Sequence, residues 1–107
     1  MEIKVYDEAK GKRVVLSGEI DMHTSPELRK VLLKMTKDKV SPIVVDLKDV
    51  SYLDSSAIAT MVEALKAVMA YKGQLRLCNL SPRVQEIFAF AKLDKVFQII
   101  REDVKSA

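Results

Sequence analysis

The sequence predicts a single-domain α/β fold with a mixed, mostly parallel sheet of about five strands and an N-terminal β-hairpin. Short β-branched runs alternate with apolar stripes at helical spacing, which is typical of parallel strands joined by right-handed crossovers. The chain has 107 residues, of which 49% are hydrophobic, enough for one core. We therefore expect residues 1–107 to form one domain, with the helices of three β-α units packed mainly on one face of the sheet.

The first two strands are predicted from two apolar runs separated by a polar turn. Ile3 and Val5 alternate with charged residues, and a second apolar run covers residues 14–20. Residues 7–12 between them are mostly polar and contain Gly11, as in the turn of a β-hairpin.

The first helix is predicted to begin directly after Thr24. Thr24 is expected to be the N-cap and Glu27 the third helical residue, so that the two side chains form a capping box. Pro26 falls in the first turn, where a missing N–H group costs nothing. The apolar stripe of this helix consists of Leu28, Val31, Leu32 and Met35.

The middle of the chain is predicted to hold a buried strand and the longest helix. The run at residues 43–47 is apolar on both faces, which is typical of a central strand in a parallel sheet. Residues 48–53 are expected to form a loop, and residues 55–71 carry apolar side chains at helical spacing. Gly73 suits the left-handed position that follows a helix.

The last part of the chain is predicted to form a strand, a helix and a final strand. Apolar residues alternate over residues 75–80, and Ser81 and Pro82 then provide an N-cap and a first helical residue. A short strand is expected at residues 96–100, with a charged tail from Arg101.

Composition and motif content argue against several functional classes. Cys78 is the only cysteine and His23 the only histidine, which leaves no internal disulfide and too few ligands for a structural zinc site. The three glycines are isolated, so neither a P-loop nor a dinucleotide-binding turn can be assembled. The N-terminus has no apolar leader segment, and no run approaches the roughly 18 apolar residues of a membrane span. We therefore expect a cytoplasmic protein that binds no cofactor or metal.

The segment Asp54-Ser55-Ser56 is the main candidate site, because it lies between a buried strand and the longest helix. In parallel α/β sheets, ligands and partners meet the loops at the carboxyl ends of the strands. Asp54 or Ser55 is expected to cap the helix, and the Ser56 hydroxyl is expected to point outward. A helix N-terminus also stabilises added negative charge, so the segment allows either helix capping alone or a phosphorylation switch.

A second polar loop, at residues 18–24, follows the second strand. If the second and third strands are parallel neighbours, this loop shares one surface with the main candidate site. Asp21 is expected to form an Asx turn or to support the helix cap. His23 is expected to be a surface residue rather than a catalytic base, and Cys78 a small buried hydrophobe.

Together these segments resemble the STAS domain family of anti-sigma factor antagonists. The resemblance covers roughly residues 13–100 and is carried by the order and spacing of short motifs. These motifs are Gly18-Glu19-Ile20-Asp21, Thr24-Ser25-Pro26-Glu27-Leu28, the strand at residues 43–47, Asp54-Ser55-Ser56 and Leu93-Asp94-Lys95-Val96-Phe97. One departure is Ala57, which stands where the family usually has glycine. Alanine is the better helix former by about 0.8–1 kcal/mol, so the first turn of this helix is expected to be stiffer.

The resemblance implies a domain without catalytic activity that binds a protein partner. It implies that a serine at the helix N-terminus is phosphorylated, with Ser56 the favoured acceptor and Ser55 the alternative. It also implies that the unphosphorylated domain binds an anti-sigma factor, itself a serine kinase, and thereby releases a sigma factor. A serine phosphatase would be a further partner. The partner-binding surface would consist of Asp21, His23, Thr24, Asp54, Ser55 and Ser56.

Three other functions compete with this hypothesis. Within the same family, a STAS domain can act as a docking subunit of a lipid-transport ABC complex or a signalling assembly without being phosphorylated. An enzyme that uses His23 with Ser56 would need a cleft and a base within hydrogen-bonding reach, and neither is predicted. Nucleic-acid binding is suggested only by the net charge of +3, since basic and acidic residues are interspersed and no basic stripe emerges. The sequence leaves the oligomeric state open.

Overall fold

The computed structural model describes residues 1–101 and contains a five-stranded sheet and three helices. In chain order the elements are β1 (Glu2–Asp7), β2 (Lys12–Ile20), α1 (Ser25–Lys37), β3 (Ile43–Leu53), α2 (Ser55–Ala70), β4 (Leu75–Cys78), α3 (Pro82–Phe90) and β5 (Gln98–Ile100). The strands lie in the order β1-β2-β3-β4-β5, with β1 antiparallel to β2 and all other neighbours parallel. The predicted α/β fold class is confirmed, including the N-terminal hairpin.

One face of the sheet carries the core of the domain. Val14, Val45 and Leu77 lie side by side on neighbouring strands, and all three are fully buried. Because successive parallel strands are adjacent in the sheet, right-handed crossovers bring the three helices to the same face. Met61 of α2 and Phe88 of α3 belong to the same buried cluster. This arrangement agrees with the prediction that the helices pack mainly on one face.

The opposite face of the sheet carries charged side chains that pair with one another. Arg13 Nη1 donates a hydrogen bond to Asp46 Oδ2 (3.2 Å), and Arg13 Nε donates to Glu8 Oε2 (2.7 Å). Cys78 lies beside Asp46 on this face and is fully buried, as predicted. Because these charged groups pair with one another, this face of the sheet can remain uncovered by helices.

The third strand is longer than the sequence predicts. The predicted loop at residues 48–53 is wrong, because β3 continues to Leu53. The extension pairs with the end of β2, so that Val50 lies beside Gly18 and Leu53 beside Ile20. Val50 and Leu53 are buried while the two residues between them are exposed. Pairing with β2 therefore overrides the weak strand propensity of this polar stretch.

The end of α2 also differs from the prediction. The residue in the left-handed conformation is Lys72 (φ 62°), so the prediction for Gly73 is wrong. Gly73 instead lies against the ring of Tyr71, where an added Cβ atom would come within 2.6 Å. The glycine at this position is thus explained by close packing and not by its backbone angle.

The last strand is shorter than predicted, because β5 begins at Gln98 rather than at residue 96. The N–H groups of Val96 and Phe97 both donate to Leu93 O, and this turn delays the strand. Most of the predicted charged tail, residues 102–107, lies outside the described residues.

Substituting Phe88 with alanine should strongly destabilise the domain. Phe88 is fully buried, and its ring meets that of Phe97 edge to face with 5.6 Å between the ring centres. Truncating a buried phenylalanine costs about 3–5 kcal/mol, which chemical denaturation followed by circular dichroism can measure. Phe90→Ala is the matched control. Phe90 is 93% exposed on the same helix, so we expect a change below about 0.5 kcal/mol. Equal losses from the two variants would contradict this placement of α3.

Candidate functional site

The two candidate loops meet at one edge of the sheet. β2 and β3 are parallel neighbours, and their last residues, Ile20 and Leu53, lie side by side. Hydrogen bonds join the loops, because Asp54 N–H donates to Ile20 O (3.1 Å) and Met22 N–H donates to Asp54 Oδ2 (3.1 Å). The prediction that both loops share one surface is confirmed.

The backbone at the end of β2 adapts to its longer neighbour. The pairing of β2 with β3 shifts between Gly18 and Glu19, where Ser51 of β3 has no counterpart. Gly18 has a φ of +88°, a conformation that residues with a side chain rarely adopt. This local shift lets both strands end at the same level, directly beneath the two loops.

Asp54 is the N-cap of α2 and contacts both loops. Its backbone is extended, and Oδ1 accepts hydrogen bonds from Ser56 N–H (2.9 Å), Ala57 N–H (3.1 Å) and the Ser56 hydroxyl (2.6 Å). The other carboxylate oxygen accepts the Met22 N–H described above. These bonds, the one from the Ser56 hydroxyl first, lower the pKa of Asp54 below its ordinary value. The side chain is therefore ionised at neutral pH.

The two serines that follow Asp54 have different environments. Ser55 is exposed, and its hydroxyl makes no hydrogen bond within residues 1–101. Ser56 is half-buried, and its hydroxyl is held between Asp54 and Ser25, whose own hydroxyl donates to Ser56 Oγ (3.2 Å). The hydroxyl without a hydrogen bond is thus that of Ser55, whereas the Ser56 hydroxyl, which is predicted to point outward, is bonded to Asp54 and Ser25.

The contact of Ser25 with Ser56 is not predicted from the sequence. Ser25 is only 5% exposed and lies beneath Ser56, at the start of α1. The two serines are 31 positions apart, so no local pattern links them. Only the parallel pairing of β2 with β3 brings the starts of α1 and α2 together.

Asp21 forms the predicted Asx turn in the second loop. Its Oδ1 accepts hydrogen bonds from His23 N–H (2.9 Å) and Thr24 N–H (3.2 Å). The His23 bond is the largest of the effects that lower the pKa of Asp21 below its ordinary value. Asp21 is therefore a second ionised carboxylate on the same surface.

The start of α1 is stabilised differently from the prediction. The expected capping box between Thr24 and Glu27 is wrong, because the Thr24 side chain makes no capping hydrogen bond. Thr24 has helical backbone angles (φ −107°, ψ −23°), whereas an N-cap side chain needs an extended backbone. Its hydroxyl instead accepts the Asp21 N–H (2.9 Å), and Ser25 N–H donates to Asp21 O (2.7 Å).

His23 lies on the same surface, in the loop that also holds Asp21. Its side chain is exposed and makes no hydrogen bond within residues 1–101. Among those residues, no three His, Cys, Asp or Glu side chains are grouped so as to hold a metal ion. The surface therefore consists of an exposed serine hydroxyl beside two ionised carboxylates at the start of a helix. Such a hydroxyl can accept a phosphate, which would add to the negative charge already present.

The whole chain, residues 1–107, matches the model of the STAS domain. The protein belongs to the STAS domain family. The anti-sigma-B factor antagonist of Staphylococcus aureus (strain NCTC 8325 / PS 47) is 31% identical to this STAS domain over 99 residues, 92% of each chain. The anti-sigma-B factor antagonist of Bacillus subtilis (strain 168) is 34% identical over 87 residues, 81% of this chain and 79% of the relative.

Solved structures share the fold of this STAS domain. An anti-sigma factor antagonist from Mycobacterium paratuberculosis aligns with a TM-score of 0.83 and 26% identity, over 92% of this chain and 83% of the other. Unphosphorylated SpoIIAA, an anti-sigma factor antagonist, aligns at 0.75 with 20% identity, over 97% and 90%. SpoIIAA of Bacillus in its phosphorylated form aligns at 0.77 with 20% identity, over 94% and 91%. The predicted STAS-like fold is confirmed.

The helices that the structure describes in this STAS domain include none that is long and apolar enough to cross a membrane.

Acid should destabilise the STAS domain partly through Asp54. Its pKa in the folded state lies below the value of about 3.9 expected in the unfolded chain, so the folded state binds fewer protons. The resulting stabilisation is complete well above that unfolded value and is lost as the pH falls through the lowered folded value. Asp54→Asn retains an oxygen for the helix cap but cannot ionise.

The free energy of unfolding can be measured in urea at several pH values between about 7 and about 3, an interval that includes the titration of carboxylates. We expect the difference between wild type and Asp54→Asn to shrink as the pH falls. A difference that stays constant over the whole range would contradict the lowered pKa of Asp54.

Proposed function

We propose that this STAS domain is an anti-sigma factor antagonist controlled by phosphorylation of a serine. In this proposal the unphosphorylated domain binds an anti-sigma factor and so releases a sigma factor. The observation that carries the proposal is the exposed Ser55 hydroxyl at the start of α2, on a surface that also holds ionised Asp54 and Asp21. The names of the relatives that match over most of their length support the same function.

Accessibility favours Ser55 over Ser56 as the phosphate acceptor. A kinase must place the γ-phosphate in line with the attacking hydroxyl oxygen, and the Ser55 hydroxyl is exposed and unbonded. The Ser56 hydroxyl would first have to leave Asp54 (2.6 Å) and Ser25 (3.2 Å). We therefore propose Ser55 as the acceptor, which reverses the order of preference implied by the family resemblance. Ser56 then serves to hold the carboxylate of Asp54.

Electrostatics explains how a phosphate would switch off binding. A phosphoserine adds a charge of about −1.5 to −2. The start of α2 tolerates that charge, because the first N–H groups of a helix attract anions. A partner that packs over the surface must instead desolvate the phosphate beside Asp54 and Asp21. A thousandfold loss of affinity corresponds to about 4 kcal/mol, a reasonable sum of repulsion and desolvation.

The proposed function requires a kinase and a phosphatase as partners, and a location in the cytoplasm. The anti-sigma factor is itself the serine kinase, and a serine phosphatase restores the unphosphorylated form. The domain acts in the cytoplasm, where transcription takes place, and it works by binding rather than by catalysis or direct contact with nucleic acid. The alternative role, as a docking subunit of a lipid-transport complex, has less support, because relatives matched over 92% of their length are named antagonists.

Incubation with the anti-sigma factor kinase and ATP should phosphorylate Ser55. We expect intact-mass analysis to find one added phosphate on wild type and on Ser56→Ala, and none on Ser55→Ala. A phosphate that persists on Ser55→Ala and disappears from Ser56→Ala would identify Ser56 as the acceptor. Wild type that gains no phosphate would favour the docking-subunit role.

Phosphorylated protein should bind the anti-sigma factor about a thousandfold more weakly than unphosphorylated protein, which calorimetry can measure. Ser55→Asp should lose part of that affinity, since it carries a smaller charge than a phosphate. Ser55→Asn has the same shape without the charge and is the matched control, so it should bind nearly as well as wild type. Equal binding by the aspartate and asparagine variants would show that charge at this position does not control the interaction.

A further inference from the structure

Exposed apolar side chains surround residues 54–56, which we call the serine loop. Seven large hydrophobic residues are exposed within residues 1–101, and three of them, Met22, Tyr52 and Phe90, belong to segments around this loop. Phe90 is 93% exposed and Met22 68%, the two highest values among the seven. Met22 is bonded through its N–H group to Asp54, and Tyr52 is two residues before Asp54. Such a concentration of exposed apolar area is typical of an interaction site.

The geometry of α3 explains why Phe90 is not part of the core. Val84 and Phe88 lie on the buried side of this helix. Arg83, Ile87 and Phe90 are spaced four and three residues apart, so they share a different side, which faces Tyr52. The helix thus has one apolar stripe for the core and a second, partly exposed one beside the end of β3.

A groove lies between this second stripe and the start of α2. We call it the α3 groove and define it by Tyr52, Ile58, Ile87 and Phe90. It includes a cavity of about 240 Å³ whose walls also contain Asp54 and Ser55. The α3 groove is therefore continuous with the proposed phosphorylation site.

The residue types in and around the α3 groove are those found at the centres of protein interfaces. Aromatic residues, Met and Arg are enriched there, as in this groove, although Glu86 also lies in its wall. Beside the groove, the guanidinium of Arg83 lies 5.8 Å from the centre of the Tyr52 ring, a cation–π contact that holds the ring in place. Asp54 and Ser55 also line the groove.

We propose that the α3 groove receives an apolar side chain of the anti-sigma factor. This inference rests on the proposed function and adds to it the second half of the docking surface. The continuity of the groove with Ser55 commits it to the same partner, because a protein that covers Ser55 also covers the cavity beside it. Phe90 is the main contact residue in this proposal.

Calorimetric titration with the anti-sigma factor kinase tests this assignment. Phe90→Ala should weaken binding about 30-fold, the effect of a residue that dominates an interface. Phe90→Leu, which keeps an apolar side chain, should retain most of the affinity. Met69→Ala is the matched control, because Met69 is also exposed on a helix (63%) but lies 14 residues beyond Ser55, about 21 Å along α2.

Each outcome separates this inference from the proposed function. Wild-type affinity in Phe90→Ala overturns the role of the groove and leaves the proposed function intact. Wild type that fails to bind the kinase overturns the proposed function, and the groove assignment with it. Sedimentation supplies the third arm: a wild-type dimer that Phe90→Ala converts to a monomer would mean that a second copy of the chain occupies the groove.

Discussion

The site depends on one carboxylate, that of Asp54. It caps α2, orients the Ser56 hydroxyl and binds the N–H group of Met22 in the neighbouring loop. Each of these groups would otherwise need another partner, so the carboxylate fixes the relative position of two loops and a helix. It can do so because β2 and β3 are parallel and end side by side, which places the loops within hydrogen-bonding distance. The sheet therefore provides the framework, and Asp54 joins the two loops that lie on it.

Most of the fold could be predicted because the apolar pattern is strong wherever an element faces the core. The stripe of α1 and the run at residues 43–47 illustrate this, since each has the period of its element. The pattern failed where pairing with a neighbour decides the structure. The polar stretch at residues 48–53 is a strand only because β2 lies beside it. Likewise, the left-handed position falls on Lys72, while Gly73 is packed against Tyr71.

The position of the site could be predicted, but its hydrogen bonds could not. That two polar loops share a surface follows from the order of strands and helices alone. The Ser56 hydroxyl is bonded to Ser25, a buried residue 31 positions away, whereas Ser55 is exposed. The Thr24 side chain likewise bonds within its own loop, because the backbone there is already helical. Local motifs identify the residues that can cap or be modified, and tertiary contacts decide which of them do so.

The two phenylalanines of α3 have separate tasks, although they are only two positions apart. Phe88 is buried against Phe97, whereas Phe90 contributes almost nothing to the core. The exposed ring can therefore change without loss of fold stability, and under the proposed docking such a change would alter the choice of partner. A duplicated gene could diverge into a second pathway by substitution at this position and still encode a folded protein. Cross-talk between such pathways would be limited by the shape of one groove rather than by the chemistry of the serine they share.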